Sequence, residues 1–230
     1  MENIFLNERD APKEYIVFFD LDKTLANSIS GRSLAIAAYR KGLLSRWKIL
    51  NALVLSIEYR LNLRDQLNII DHMVSWVKGL PEKSIEDLCI EVFNKVIFPS
   101  VFKEAISEIK FHKTKNAKVV ILSSALTAVC RQMSESLNLD DIICSDLEVK
   151  NGFMTGRPLG HICFGEEKAI RLKMYCDRYN FSMEKAWYYG DSISDLHALN
   201  VVGNPACVNP DNKLKKVAER RGWKILCWGT

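Results

Sequence analysis

The spacing of apolar residues along this chain of 230 residues divides it into three parts. The run I-V-F-F at 16–19 is apolar at every position, which is typical of a strand buried on both faces, and we predict a first strand at about 14 to 20. From Leu34 to Phe98 the apolar residues recur at helical spacing, without strand-like alternation of useful length. After Val101 strand patterns and helix patterns alternate to the end of the chain.

The middle part predicts four helices joined by short breaks. Residues 26–33, A-N-S-I-S-G-R-S, are mostly small and polar and predict a loop before the first helix. The helices are expected at 34–41, 43–60, 64–78 and 84–96, with Ser84 and Asp87 as a capping pair at the start of the last one. An all-helical insert between two strands is typical of a cap that covers a larger α/β domain.

The third part predicts a parallel sheet with helices on both faces, because its strands are separated by helices. A hairpin is expected at 146–156, around Asn151-Gly152. The predicted fold class is therefore α/β, a Rossmann-like doubly wound parallel sheet, with a core domain of 1–30 and 100–230 and a helical cap domain of 31–99. The other helices are expected at 101–109, 126–137, 166–179, 193–199 and 212–221, and the other strands at 117–122, 141–144, 186–189, 206–208 and 223–227.

The composition indicates a globular chain with no strong preference for nucleic acid. Hydrophobic residues make up 48% and charged residues 26%, and the net charge of +4 with a pI of about 8.6 is only mildly basic. The seven cysteines include no C-x-x-C pair, so we expect reduced, buried thiols rather than a zinc or disulfide framework. The first residues contain acids and no long apolar region, and no apolar run reaches ~18 residues, so we expect no signal peptide, no transmembrane segment and a cytoplasmic protein.

Charge is distributed unevenly within the insert. Between Arg32 and Arg64 seven basic residues face a single acid, Glu58, which leaves a net charge of +6. This pattern is typical of a solvated helix face, and it is also compatible with a surface that attracts an anionic substrate or makes weak contact with an anionic membrane. The basic residues are Arg32, Arg40, Lys41, Arg46, Lys48, Arg60 and Arg64.

Two carboxylates, Asp20 and Asp22, end the first strand. Two acids so close together repel each other, and keeping both ionised requires a cation or a proton nearby. The pair therefore indicates a metal-assisted acid site, with the alternative that Asp22 caps the helix that follows.

Three predicted strands end in a polar residue at the carboxyl edge of the sheet, where ligands bind in such folds. These residues are Asp20, Ser123 and Asp191. Carboxylate oxygens suit Mg²⁺, hydroxyls and a lysine suit a phosphoryl group, and an aspartate can form an aspartyl-phosphate. Further members of this set are Asp22, Thr24, Ser124, Lys168 and Asp195, whereas the four histidines do not cluster with it and are expected to be structural or exposed.

Four motifs in this order resemble the haloacid dehalogenase-like hydrolases. They are D-L-D-K-T at 20–24, V-V-I-L-S at 119–123, Lys168, and G-D-S-I-S-D at 190–195. The helical insert between the first two motifs is similar to the first type of cap in that family, and the chain is identified as a member of its phosphoserine-phosphatase-like branch, subfamily IB. The resemblance implies a Mg²⁺-dependent phosphatase that acts on a phosphomonoester. A phosphotransferase with the same intermediate and a non-catalytic binding protein on the same fold are the alternatives.

The resemblance also implies a role for each motif residue. Asp20 would be the nucleophile, and Asp22 would protonate the leaving group and then activate water. Mg²⁺ would be held by Asp20, the main-chain carbonyl of Asp22 and Asp191, with support from Asp195. The phosphoryl oxygens would be bound by Ser123 and Lys168, with the hydroxyls of Thr24 and Ser124 as further candidates.

Three departures from the family pattern bear on the substrate. Lys23 stands where the family commonly has a small residue. Phosphoserine phosphatases hold the substrate amine with a glutamate, whose place falls near Ile29, and hold its carboxylate with an arginine, whose place falls near Met73. We therefore expect the substrate to be a phosphorylated small molecule or lipid headgroup that is more apolar than phosphoserine. We expect no nucleic-acid partner.

Overall fold

The computed structural model describes residues 13–44 and 74–229, and these residues fold around one central sheet. The sheet has six strands, all parallel, in the order β3-β2-β1-β6-β7-β8. Its strands are β1 (Tyr15–Phe19), β2 (Ala117–Leu126), β3 (Asp141–Ser145), β6 (Trp187–Gly190), β7 (Asn204–Val208) and β8 (Lys224–Leu226). The predicted α/β class with a doubly wound parallel sheet is confirmed.

Strand β1 lies at the centre of the sheet, and the strand order reverses beside it. The chain passes from β1 to β2 and β3 on one side and later to β6, β7 and β8 on the other. The four residues at 16–19 have no exposed surface, as expected of a strand covered on both faces. The crevice between the carboxyl ends of β1 and β6 is therefore the place where a ligand site is expected in this topology.

Helices cover both faces of the sheet. The helices are α1 (Ser30–Arg40), α2 (Glu82–Val92), α3 (Lys103–Thr114), α4 (Thr127–Leu137), α5 (Glu166–Tyr179), α6 (Leu196–Leu199) and α7 (Asn212–Arg221). One face is covered by α3 and α4 together with α1 and α2 of the insert, in a core that includes Val17 and Phe19. The other face is covered by α5, α6 and α7, in a core that includes Ile16 and Phe18. The seven cysteines are free, and all except Cys227 are buried.

Two helix starts in the insert differ from the sequence prediction. Helix α1 begins at Ser30, inside the stretch predicted to be a loop, because the first N–H group of the helix is bound by a carboxylate from outside the local sequence. Helix α2 begins at Glu82 after Pro81, whose φ of −59° suits a helix start, so the predicted capping pair of Ser84 and Asp87 is wrong. The helix ends at Val92, where a short π-helix (Phe93–Ile97) takes over.

Much of the predicted cap lies outside the described residues, including most of the predicted helices at 43–60 and 64–78. The described part contains α1 and α2, which are joined by an ion pair between Lys41 and Glu91. The cap boundaries and its basic surface stay predictions. Among the residues that the structure describes, no helix has the length and apolar character needed to cross a membrane.

The predicted hairpin at Asn151-Gly152 is confirmed. Its strands β4 (Leu147–Lys150) and β5 (Phe153–Pro158) pair antiparallel, and the two turn residues have φ angles of 53° and 77°, as a tight hairpin turn requires. The segment 79–82 of the insert, which leads into α2, hydrogen-bonds the hairpin. The N–H of Gly79 donates to the Met154 carbonyl at 2.9 Å, and the N–H of Met154 donates to the Leu80 carbonyl at 2.9 Å. The hairpin is thus tied to the base of the insert.

Candidate active site

Asp20 and Lys168 form a buried ion pair at the carboxyl end of β1. The Lys168 Nζ atom lies 2.8 Å from Asp20 Oδ1, although 148 positions separate the two residues, and both side chains are buried. Burial raises the pKa of the Asp20 carboxyl, and the Lys168 ammonium acts in the opposite direction. The lysine therefore favours the ionised carboxylate that a nucleophile requires.

Asp195 holds Lys168 from the other side. Its Oδ1 atom lies 2.6 Å from Lys168 Nζ, and its Oδ2 atom accepts from the N–H groups of Asp191 and Ser192, both at 3.2 Å. Burial opposes the charge on each partner, but the attraction between them outweighs it, so the pKa of Asp195 lies below its ordinary value and that of Lys168 well above. Asp195 thus fixes both the lysine and the loop that follows β6.

Close packing in this loop explains the glycine before Asp191. A Cβ atom placed on Gly190 would lie 2.7 Å from Asp195 Cγ, a distance that real Cβ contacts do not show. The G-D-S-I-S-D motif therefore requires glycine at its first position because the Asp195 carboxyl occupies the adjacent space.

Asp20, Asp191 and Asp195 form a cluster of acids whose ligand atoms all lie within 4.8 Å of one another. Burial and the nearby charge of Asp20 raise the pKa of Asp191 to about 9, because a single lysine does not offset three ionised carboxylates so close together. Hard carboxylate oxygens at this spacing match what a divalent cation requires. The donor set therefore fits a metal ion, and a bound cation would relieve the repulsion.

Asp22 points away from this cluster and towards helix α1. Its Oδ1 atom accepts the N–H of Ser30 at 2.8 Å, and its Oδ2 atom accepts the Ser30 hydroxyl at 2.7 Å. Burial, together with the charge of Asp20, raises the pKa of Asp22 to about 7 against the effect of these two hydrogen bonds. The carboxyl therefore binds the first N–H of helix α1, as the capping alternative expects, while its part in a metal-assisted acid site stays a prediction.

The hydroxyl groups of the first two motifs lie at different depths. Ser123 is buried and its side chain hydrogen-bonds Asp20, whereas Ser124 is half-buried. Thr24 is fully buried, and its hydroxyl has no hydrogen-bond partner among the residues that the structure describes. Of these hydroxyls, Ser123 is thus the one that the structure places in contact with Asp20.

Lys23 turns away from the acids on either side of it. Its Nζ atom donates to Asn27 Oδ1 at 2.8 Å in an exposed contact, so the ammonium is not part of the acid cluster. Its backbone has a φ of 61°, in the left-handed region that favours glycine. The backbone here explains why a small residue suits this position.

Sequence reasoning missed two residues that bind the site. The sequence places Ser30 in the predicted loop of 26–33 and Tyr188 within the strand predicted at 186–189. The Tyr188 hydroxyl lies 2.7 Å from Asp195 Oδ1 and 3.1 Å from Lys168 Nζ. No local signal in the sequence reveals either contact, since both depend on how distant segments pack. Of the histidines, His112 is buried away from the site, His161 and His197 are exposed, and His72 lies outside the described residues.

A comparison with protein families identifies the class of protein. The model of the haloacid dehalogenase-like hydrolases matches residues 17–200, a span that includes all four motifs. The chain therefore belongs to this family, and the resemblance predicted from its motifs is confirmed.

Individual relatives share most of the chain at modest identity. A probable phosphatase of Mycobacterium tuberculosis is 29% identical over 212 residues, covering 91% of this chain and 74% of that protein. A histidinol-phosphatase of Neisseria meningitidis is 26% identical over 222 residues, covering 92% of this chain and 97% of that protein. A solved phosphoserine phosphatase, described as an analogue of the phospho-aspartyl intermediate, has a TM-score of 0.71 at 21% identity and covers 94% of this chain and 93% of its own. At that identity the structural likeness shows a shared fold.

Proposed function

We propose that this protein is a phosphatase that hydrolyses a phosphomonoester through an aspartyl-phosphate on Asp20. The observation that carries the proposal is the clamp on Lys168, whose Nζ atom lies 2.8 Å from Asp20 and 2.6 Å from Asp195 beside the carboxyl of Asp191. A buried lysine at the nucleophile stabilises the anionic carboxylate and the negative charge of a phosphoryl group. The names of the relatives, probable phosphatase and histidinol-phosphatase, support this reaction class.

In the first step an Asp20 oxygen attacks phosphorus, and the bond between phosphorus and the leaving oxygen breaks. Asp22 donates its proton to that leaving oxygen, a role that its pKa of about 7 suits. In the second step Asp22, now ionised, accepts a proton from water as the water oxygen attacks phosphorus. The bond between Asp20 and phosphorus then breaks, which releases phosphate and restores both carboxyl groups to their initial state.

The acid cluster would hold the metal that this reaction requires. Asp20 and Asp191 would supply carboxylate oxygens, whereas both Asp195 oxygens already accept hydrogen bonds and would support the site from behind. We propose Mg²⁺, which when bound would neutralise charge on the phosphoryl oxygens and orient them. The buried Lys168 would also bind the phosphoryl group.

The residue before helix α1 bears on the substrate. Ile29 is 41% exposed and directly precedes Ser30, which holds the Asp22 carboxyl. An apolar side chain here offers no partner for a substrate amine, so the proposal excludes phosphoserine as the preferred substrate. A phosphomonoester that carries an apolar group, such as lysophosphatidic acid, fits the position better.

Hydrolysis of an aryl phosphate tests the reaction class. Wild type should hydrolyse p-nitrophenyl phosphate in the presence of Mg²⁺ and lose this activity when the metal is chelated. Asp20→Asn should reduce kcat/KM by at least about 10³-fold because it removes the attacking oxygen anion. Asp177→Asn, an exposed site on α5, is the matched control and should retain wild-type activity. Equal activity of Asp20→Asn and the control would contradict the proposal.

A panel of phosphorylated metabolites tests the substrate class. The panel should include phosphoserine, histidinol phosphate and lysophosphatidic acid at matched concentrations. The proposal expects kcat/KM to be highest for esters with an apolar group, and Ile29→Glu should lower this preference. Turnover confined to small polar phosphates would overturn the substrate assignment while leaving the reaction class intact.

A further inference from the structure

The ammonium group of Lys168 has no free hydrogen in this structure. Its three N–H donors meet three acceptors, which are Asp20 Oδ1 at 2.8 Å, Asp195 Oδ1 at 2.6 Å and the Tyr188 hydroxyl at 3.1 Å. Lys168 is only 2% exposed, so bulk water does not supply another partner. A lysine that is to bind a phosphoryl oxygen must therefore release one of these contacts.

The three contacts differ in strength, and this difference decides which of them is released. The two carboxylates are charged and lie at short distances, whereas the tyrosine hydroxyl is neutral and lies at the longest distance. All three hydrogen bonds have a charged donor, but only the two to carboxylates also pair it with a charged acceptor, which makes them the stronger ones. The contact to Tyr188 is therefore the one that an incoming phosphoryl oxygen would replace.

The Tyr188 hydroxyl is itself fixed as an acceptor for Lys168. Its O–H donates to Asp195 Oδ1 at 2.7 Å, so its oxygen faces the ammonium with a lone pair. Tyr188 is fully buried in the central strand β6, and Asp195 is held by the loop after that strand. The three side chains thus form a closed triangle that does not depend on flexible surface groups.

We propose that Tyr188 is a positioning residue that holds the third hydrogen of Lys168 in the substrate-free site and releases it to a phosphoryl oxygen on binding. The proposal rests on the function proposed above. It assigns to Tyr188 a task for which the hydroxyl, and not the ring, is required. Without substrate, the hydroxyl accepts a hydrogen bond from the buried ammonium of Lys168. When a phosphoryl group binds, the hydroxyl keeps its own hydrogen bond to Asp195.

Tyr188→Phe tests the proposal because it removes the hydroxyl alone. In the variant the third N–H of Lys168 has no acceptor until phosphate arrives, so the empty site is destabilised relative to the occupied one. Inorganic phosphate should therefore bind about three- to tenfold more tightly, a range that the net contribution of one hydrogen bond represents. The inhibition constant for phosphate and KM should fall by a similar factor, and binding can be measured by calorimetry with Mg²⁺ present.

Tyr189→Phe is the matched control on the same strand. Tyr189 is also fully buried, and its hydroxyl donates to Glu108 at 2.6 Å and contacts His112 Nε2 at 2.8 Å. This variant should lose stability without any change in phosphate affinity. Unchanged or weaker phosphate binding by Tyr188→Phe, with normal binding by wild type and control, would overturn the proposal.

A crystal structure of the wild-type protein with Mg²⁺ and inorganic phosphate provides a measurement that does not depend on a variant that folds. The distance from Lys168 Nζ to the Tyr188 hydroxyl should exceed 3.5 Å, while both carboxylate contacts persist. A retained contact near 3.1 Å with phosphate bound to Lys168 would contradict the proposal. Failure of phosphate to bind the wild-type protein would instead contradict the proposed phosphatase function.

Discussion

Two hydrogen bonds join Asp22, the candidate proton donor, to Ser30, the first residue of helix α1. A single residue supplies both donors, its N–H at 2.8 Å and its hydroxyl at 2.7 Å, and the two hydrogen bonds occupy both carboxylate oxygens. Hydrogen bonds to an ionised carboxyl lower its pKa, so Ser30 moderates the increase that burial produces at Asp22. The start of helix α1 therefore sets the acidity of the group proposed to protonate the leaving oxygen.

Ser30→Ala should shift the pH dependence of catalysis towards higher pH. Without the hydroxyl the ionised form of Asp22 loses one donor, so its pKa rises and the protonated form persists longer as pH increases. The falling limb of kcat/KM for an alkyl phosphate, whose leaving oxygen needs a proton, should move up by about one pH unit. Ser33→Ala, in the same helix, should leave the profile unchanged. A limb that stays in place or moves down in Ser30→Ala would show that the hydroxyl does not control the acid.

Gly190→Ala should disable the site through Asp195. The added methyl group would lie 2.7 Å from Asp195 Cγ, so either the carboxyl or the loop after β6 must shift. Because Asp195 holds Lys168, kcat should fall by at least about 10²-fold. The control is Gly31→Ala in α1, where no atom of the described residues lies within 4 Å of the added methyl group. This variant should retain activity. Wild-type turnover by Gly190→Ala would refute the close packing described for this loop.

Lys23→Gly should stabilise the protein. The φ of 61° at this position costs a lysine energy that glycine avoids, and the exposed contact to Asn27 contributes little. The free energy of unfolding in urea should rise by about 0.5–1 kcal/mol. Lys23→Ala removes the same ammonium but keeps the strained backbone, and should show no gain. If the alanine variant were as stable as the glycine variant or more stable, the left-handed backbone would not be the source of any gain.

His112 lies in a buried chain of hydrogen bonds on the other side of β1. Its Nδ1 atom meets the Tyr15 hydroxyl at 2.9 Å, and its Nε2 atom meets the Tyr189 hydroxyl, which in turn donates to Glu108 at 2.6 Å. Since the Tyr189 hydrogen is directed at Glu108, its oxygen accepts from Nε2–H, and Nδ1 accepts from Tyr15. The neutral ring satisfies every partner, and burial lowers the pKa of His112 to about 4.

This chain predicts that acid weakens the fold through His112. The unfolded state binds the proton at the ordinary pKa of about 6.5 and the folded state only near pH 4, so stability is lost as pH falls through this window. Between pH 7 and pH 5 wild type should lose about 2 kcal/mol more unfolding free energy than His112→Gln. His197→Gln, at an exposed position, should follow wild type. Equal losses in wild type and His112→Gln would contradict the assignment of a neutral ring.

The parallel sheet and the carboxyl-edge location of the site could be predicted from the sequence because both follow from local patterns. Helix α5 and helix α7 have the predicted bounds of 166–179 and 212–221, since their apolar spacing and end residues agree. The convergence of Asp20, Ser123 and Asp191 follows from the carboxyl edge of a parallel sheet, although β2 continues to Leu126, beyond the predicted end at 122, so Ser123 lies within it. Each of these features can be predicted from the residue pattern of the segment concerned, together with the general geometry of parallel sheets.

The contacts that tune the site could not be predicted. The run W-Y-Y before Gly190 is apolar and aromatic throughout, so the sequence does not show that Tyr188 faces Lys168 while Tyr189 faces His112. The start of α1 was missed because the group that binds its first N–H is Asp22, eight positions earlier, rather than a local cap. Such contacts depend on tertiary packing, which local propensity does not encode.

The identity of the nucleophile is tested most directly by trapping the phosphorylated carboxyl group. Asp22→Asn should still react with p-nitrophenyl phosphate, whose leaving group needs little protonation, but should hydrolyse the intermediate slowly and accumulate it. Rapid acid quench, borohydride reduction and peptide mass spectrometry should then find homoserine at position 20, and Asp20→Asn should give none. Homoserine at another aspartate, or product formation by Asp22→Asn in a burst with residue 20 unmodified, would contradict the account.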